Sequence, residues 1–123
     1  MIDHVSLQCA DVQASAAFYD AVLTTIGAGR VLDVGDAIGF GTPGNAEFWI
    51  GAHTTGDGFR ETHFAFSAPT RESVLAFRDA AVAQHAEVLH EPKVWPEYSP
   101  DYFAVFVRDP DGNNVEAVCH EPT

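Results

Sequence analysis

Alternating polar and apolar positions define the beginning of the chain. The alternation runs through residues 2–9 and is typical of a β-strand with two different faces. Asp11 follows as the N-cap of a helix, whose apolar positions recur at helical spacing and end at Gly27. Short apolar segments separated by turn residues then predict three strands, at residues 29–33, 37–41 and 46–51.

The same order of elements begins again after a polar, glycine-rich linker at residues 53–58. Alternation resumes over residues 61–68, and Thr70 is placed to cap a second helix. Three more strands are predicted at residues 87–90, 102–108 and 113–119, the last two joined by a turn at residues 109–112. A long loop with prolines and aromatic residues, 91–101, is long enough to act as a lid.

The repeat is visible in the residue numbers. A constant offset of 59 residues carries His4 onto His63 and one helix cap onto the other, and an extra 10 residues, due to the longer loop, carry Glu47 onto Glu116. We therefore predict an α+β fold of two βαβββ modules, at about residues 1–53 and 60–120 of one domain covering residues 1–123. The helices should lie outside and the curved sheets should face each other, so that equivalent residues converge near a pseudo-two-fold axis.

The candidate functional residues of the chain are those two pairs, His4 with Glu47 and His63 with Glu116. Two imidazoles and two carboxylates on one concave surface suit one divalent ion of Zn, Ni, Co, Mn or Fe. Taken singly, a histidine in a strand is usually a hydrogen-bonded structural residue and a glutamate on an edge strand is usually solvated. The placement of all four residues at repeated positions favours a metal site over these structural roles. Aromatic residues that could line a substrate pocket, or simply pack in the core, are Trp49, Trp95, Tyr98 and Phe103.

Composition and charge limit the classes of binding partner. The 123 residues are 46% hydrophobic and 20% charged, as expected of a folded globule, and carry a net charge of −12. Such a surface repels phosphate backbones and anionic lipid, so neither nucleic acid nor a membrane is expected as a partner. With no signal peptide or membrane-length apolar segment, we expect a cytoplasmic protein in which Cys9 and Cys119 are reduced and buried.

Four segments of the chain resemble the vicinal oxygen chelate superfamily, which includes glyoxalase I, bleomycin-resistance proteins, fosfomycin-resistance proteins and extradiol dioxygenases. They are IDHVSL (2–7), SAAFY (15–19), THFAF (62–66) and FVRDPDGNNVE (106–116). The resemblance covers essentially the whole chain and implies paired βαβββ modules forming an open barrel around a divalent metal. It matches the metal positions of the family to His4, His63 and Glu116, with Glu47 as the fourth ligand of a glyoxalase-type site.

The resemblance implies a homodimeric, metal-dependent lyase or isomerase of the glyoxalase type. Such an enzyme chelates two vicinal oxygens of a small-molecule substrate, with Glu116 or Glu47 as general base. Because the chain has only 6 Lys and Arg residues, anionic glutathione adducts and phosphonates are disfavoured. Two alternatives remain open: a metal-free protein of the bleomycin-resistance type that binds a cationic drug, and an extradiol dioxygenase with Fe(II), although such dioxygenases usually carry four modules.

Overall fold

Each half of the chain folds as one strand, one helix and three further strands. The computed structural model describes all 123 residues. The first half contains β1 (Val5–Gln8), α1 (Val12–Leu23), a 3-10 turn (Thr24–Ile26), β2 (Gly29–Asp33), β3 (Ala37–Thr42) and β4 (Asn45–Gly51). The second half contains β5 (His63–Ser67), α2 (Arg71–Ala83), β6 (Val88–Val94), β7 (Phe103–Arg108) and β8 (Asn114–Cys119).

Two separate four-stranded sheets result, with the strand orders β1-β4-β3-β2 and β5-β8-β7-β6. In each sheet the first strand of the half runs parallel to the last, and the remaining pairs are antiparallel. The predicted α+β fold of two βαβββ units is confirmed. The sheets are curved but are not closed into a barrel.

Both helices begin where the sequence indicates. The carboxylate of Asp11 accepts hydrogen bonds from the backbone N–H groups of Gln13 and Ala14, and Thr70 forms a reciprocal capping box with Ser73. These caps satisfy backbone donors that have no partner inside the helix. They fix where each helix begins.

One apolar core joins the two halves. Its 20 buried residues come from both helices and from the helix-facing sides of both sheets. The ring of Tyr19 on α1 packs at 4.8 Å from that of Phe48 in the first sheet and at 6.4 Å from that of Phe66 in the second. Since the helices cover only one side of each sheet, the other side is left without a helix. We call it the helix-free face.

The turn between β7 and β8 is confirmed, and it also ties the two halves together. Asp109 is 6% exposed, and its carboxylate accepts hydrogen bonds from the Tyr19 hydroxyl at 2.6 Å and from the Asn113 backbone and side chain, each at 2.9 Å. Asp111 extends the connection, because its carboxylate accepts from the Ala10 N–H at 2.9 Å. The turn of the second half is therefore fastened to the first helix.

The expected long loop is shorter than the sequence suggested. Strand β6 continues to Val94, so the predicted end at residue 90 is wrong and the connection to β7 covers residues 95–102. Pro92 is tolerated in this strand because β6 is the edge of its sheet, where a missing N–H need not break the ladder. The ends of the connection are joined by a backbone hydrogen bond of 2.7 Å from Trp95 N–H to Tyr102 C=O.

Both cysteines lie inside the protein, as expected. Cys9 and Cys119 are buried and unpaired, and burial raises the pKa of the Cys9 thiol above its usual value. Neither helix has the length and apolar character needed to cross a membrane.

The link between the halves can be tested with Tyr19→Phe. The substitution keeps the ring in the core but removes one donor from the buried Asp109 carboxylate, so we expect the free energy of unfolding to fall by about 1–3 kcal/mol. Urea unfolding measures the change. Tyr98→Phe is the control, since Tyr98 is 60% exposed and should shift stability by less than about 0.5 kcal/mol. Equal losses in the two variants would contradict the role of Asp109.

Candidate metal centre

The helix-free face of the second sheet brings His63 and Glu116 together. Strand β5 pairs in parallel with β8, and Ala65 lies opposite Glu116 in the register. The imidazole Nε2 of His63 lies 3.2 Å from Oε1 of Glu116. The side chain of His63 is 50% exposed, whereas that of Glu116 is 2% exposed. A buried carboxylate therefore lies beside an accessible imidazole.

The hydrogen bonds of His63 determine what this pair can hold. Its Nδ1 lies 3.0 Å from the backbone carbonyl of Asn114. A carbonyl only accepts, so Nδ1 carries the proton, and a neutral ring then presents its Nε2 lone pair to Glu116. Oε1 of Glu116 is also an acceptor. Two acceptors at this distance need a cation, either a proton or a metal ion, between them.

Tyr102 binds the other oxygen of the same carboxylate. Its hydroxyl donates a hydrogen bond to Oε2 of Glu116. Burial, and then this bond to Glu116, raise the pKa of Tyr102 well above its ordinary value, so the hydroxyl remains a donor at neutral pH. One oxygen of Glu116 is thereby occupied, and the other is left for the His63 side.

Aromatic rings form the walls around this pair. A cleft of about 320 Å³ is lined by His63, Tyr98, Tyr102, Phe106 and Glu116. The ring of Phe106 stacks on that of His63 with centroids 6.0 Å apart. The cleft therefore offers flat apolar surfaces beside one carboxylate.

The first sheet carries a second, similar pair. Because Val5 is opposite Phe48 in the register, the residues that precede them, His4 and Glu47, are neighbours, and both line a second cleft of about 260 Å³. Nδ1 of His4 lies 2.7 Å from the Asp3 carboxylate. One oxygen of Glu47 accepts from the side-chain amide of Asn45 at 3.0 Å. His4 and Glu47 therefore each keep one atom with a free lone pair that could coordinate a cation.

The structure corrects the equivalence of the two glutamates. The residue opposite His63 on β8 is Asn114, whereas the residue beside His4 on β4 is Glu47. Asn114 is therefore the structural equivalent of Glu47, and Glu116 lies two residues further along its strand. Since side chains alternate with a period of two, both glutamates still point to the helix-free face.

The four residues do not converge within one chain. No group of three or more His, Cys, Asp or Glu side chains is placed to hold a metal ion. Each cleft supplies one imidazole nitrogen and one carboxylate oxygen, where a zinc-type site takes three or four protein ligands. The donor types and their partners fit a divalent metal, but a single copy of the chain holds them as two separate His–Glu pairs.

The candidate pocket residues divide between the two faces of the sheets. Tyr98 lines the cleft, and Trp95 lies behind it, with Nε1 donating to the Ala104 carbonyl at 3.2 Å. Trp49 lies against Gly39 on the helix-free face of the first sheet, where an added Cβ would come within 2.8 Å of its ring. Phe103, however, packs against the main core and 5.0 Å from the guanidinium carbon of Arg71.

Phe103 thus lies on the helix-facing side, outside the cleft. The residues missed from the sequence are its neighbour Tyr102 and Phe106, which share the opposite side of β7. Side chains separated by an even number of residues on a strand lie on the same side. This alternation is the signal from which both residues could have been identified.

Comparison with known proteins identifies the family. The family model of the Glyoxalase/Bleomycin resistance protein/Dioxygenase superfamily matches residues 1–117. The chain belongs to this superfamily. A search of curated proteins gives no match.

Solved structures share the fold over almost the entire chain. A glyoxalase/bleomycin resistance protein from Albidiferax ferrireducens T118 is 27% identical, with a TM-score of 0.82 over 97% of this chain and 98% of the other. A lactoylglutathione lyase from Agrobacterium tumefaciens is 25% identical, with a TM-score of 0.71 over 97% and 92%. A glyoxalase/bleomycin resistance protein/dioxygenase family enzyme from Burkholderia phytofirmans PsJN is 18% identical, with a TM-score of 0.71 over 98% of each chain. At 18% identity the likeness concerns the fold alone.

The contact between Tyr102 and Glu116 predicts a change in tyrosine ionisation. Glu116→Gln removes the negative charge that opposes loss of the Tyr102 proton, so we expect the pKa of Tyr102 to fall. Tyrosinate absorbance during alkaline titration measures it, as the difference between Glu116→Gln and Glu116→Gln/Tyr102→Phe. The reference is the difference between wild type and Tyr102→Phe. An unmoved or raised pKa would contradict the contact.

Proposed function

We propose that the protein is a cytoplasmic, homodimeric, metal-dependent lyase or isomerase of the glyoxalase type. The observation that carries this proposal is the pair of opposed acceptors, Nε2 of His63 and Oε1 of Glu116, 3.2 Å apart. Superfamily membership supports the class of chemistry. The two free, buried thiols support a reducing compartment.

The surroundings of the four donors support a metal ion rather than a simple ion pair. Metal-bound histidines usually donate their second ring nitrogen to a carboxylate or a carbonyl. His4 and His63 both do so, to Asp3 and to the Asn114 backbone. Glu47 and Glu116 each have one oxygen occupied by a neighbouring donor. All four side chains are therefore held with one atom free.

A second copy of the chain would complete the ligand set. In an isologous dimer, His63 and Glu116 of one protomer can meet His4 and Glu47 of the partner subunit, which creates two identical sites. The exposed strands β1 and β5 lie at the edges of their sheets. Ile2, which precedes β1, and Val5, its first residue, are exposed apolar residues. Unpaired edges and exposed apolar side chains favour association at this surface.

Glu116 is the better placed of the two candidate bases. A divalent ion would stabilise negative charge on two vicinal oxygens of the substrate. The Glu116 carboxylate lies inside the aromatic cleft, whereas Glu47 is exposed. Once its Oε1 is released from the ion, Glu116 would take a proton from the carbon next to a carbonyl and return it to the neighbouring carbon. The aromatic walls would exclude water from that transfer.

The charges around the cleft restrict the substrate. No Lys or Arg lines the cleft. Lys93 lies against Trp95, with its Nζ 4.1 Å from the centre of that ring. With a net charge of −12, the protein favours a neutral or cationic oxygenated molecule over an anionic glutathione adduct.

The same cleft supports a second candidate function. Aromatic faces beside a buried carboxylate are suited to binding an organic cation without a metal, as in the bleomycin-resistance alternative. An Fe(II) dioxygenase would use the same two histidines and one carboxylate. Metal content separates the metal-free protein from both metal enzymes.

Elemental analysis of protein produced without a histidine tag tests the metal centre. We expect about one divalent ion per chain in the wild type and its loss in His63→Ala, because one of few ligands is removed. His53→Ala is the matched control, since His53 is exposed and contacts Asp36, away from the cleft. A wild type that stays empty after reconstitution with Zn, Ni, Co, Mn and Fe would overturn the proposed enzyme and leave metal-free binding.

Mixing two metal-free variants tests whether each site is shared between two copies of the chain. His4→Ala and His63→Ala should each lose metal. After unfolding and refolding together in equal amounts, half of the dimers contain one of each, and one site in each of these is intact. We expect about a quarter of the wild-type metal to return. No recovery, with dimers shown to exchange, would contradict a shared site.

A further inference from the structure

Tyr102 controls which oxygen of Glu116 is available. Its hydroxyl contacts Oε2, and Oε1 faces His63. We infer that Tyr102 is a positioning residue that makes Glu116 bind a metal ion through one oxygen only. The inference rests on the proposed function, because it concerns the ligand geometry of that site.

The hydroxyl can act in this way because Tyr102 is itself fixed. Its backbone carbonyl accepts from the Trp95 N–H at 2.7 Å, and its N–H donates to the Ser99 carbonyl at 3.3 Å. Its ring lies edge-on to those of Tyr98 and His120, with centroids 5.1 Å away in each case. Trp95, at the other end of the loop, is 9% exposed. The loop at residues 95–102 therefore holds the hydroxyl in place over the cleft.

The contact with Tyr102 affects how Glu116 can bind a metal ion. A carboxylate can bind a cation through one oxygen or through both. The Tyr102 hydroxyl takes one of the two lone pairs of Oε2 and holds that oxygen toward Tyr102. This favours binding of the ion through Oε1 alone over binding through both oxygens. A one-oxygen contact leaves one more coordination position for substrate oxygens. Tyr102 would thus protect the open positions on which chelation depends.

Co²⁺ binding to Tyr102→Phe tests this inference. Loss of a side chain that orients a ligand typically weakens metal binding about 10–100-fold, and we expect a loss in that range here. At saturating Co²⁺ the visible bands should also change in intensity, because Glu116 becomes free to add a second oxygen. A purely structural role for the hydroxyl would leave the saturated spectrum unchanged. Melting curves verify that the variant keeps its fold.

Tyr98→Phe is the matched control. It removes a hydroxyl from the same loop and the same cleft that makes no hydrogen bond to Glu116, so Co²⁺ affinity and spectrum should stay within about twofold of wild type. Wild-type affinity and spectrum in Tyr102→Phe would overturn the inference and leave the metal centre intact. A wild type that binds no Co²⁺ would overturn the proposed metal centre, and the inference with it.

Discussion

A buried carboxylate is costly unless hydrogen-bond donors replace the water it loses, and Asp109 meets that condition with donors from both halves of the chain. Tyr19 on α1 supplies one, and Asn113 supplies two from the turn that precedes β8. The turn therefore cannot move relative to α1 without leaving a buried charge unsatisfied. Since β8 begins immediately after this turn, the same contacts set where Glu116 lies relative to the first half.

The position of the candidate site follows from what the helices leave uncovered. Both helices and the helix-facing sides of both sheets form one core, so polar side chains on those sheets can only be accommodated on the other side. Glu116 is nevertheless 2% exposed, because aromatic rings shield it and the Tyr102 hydroxyl donates to its Oε2, while its Oε1 faces His63. The burial of this one charge thus depends on a second, smaller cluster built around Trp95 and Phe106.

Much of the fold could be predicted because local signals agreed with one another. Alternation, helix caps and turn residues repeat along the chain, and the caps Asp11 and Thr70 are both found. The errors occur where such signals are absent. Strand β7 is almost entirely apolar, so no alternation shows which side Phe103 takes. The extension of β6 through Pro92 depends on its being an edge strand, which is a property of the sheet and not of the segment.

The site was harder to predict because it depends on register and assembly. The residue types and the helix-free face follow from alternation, but a shift of two residues preserves the face and so escapes detection. Tyr102 was missed because its role comes from a loop closed by a backbone hydrogen bond between residues 95 and 102. Whether the two His–Glu pairs meet depends on how copies of the chain associate, and no pattern along one strand carries that information.

The register shift gives the two halves different properties. In the first sheet the carboxylate of Glu47 lies beside its histidine at the exposed end of the strand, and Trp49 takes the interior position two residues later. In the second sheet Asn114 takes the outer position and the carboxylate of Glu116 the interior one. A repeated unit has thus placed its acid once in solvent and once under aromatic rings. An interior carboxylate needs a fixed donor and gains a water-poor setting for proton transfer, whereas an exposed one keeps its contact with water. If the two pairs meet around one ion, the site combines a buried carboxylate with a solvent-exposed one, which two identical halves could not provide.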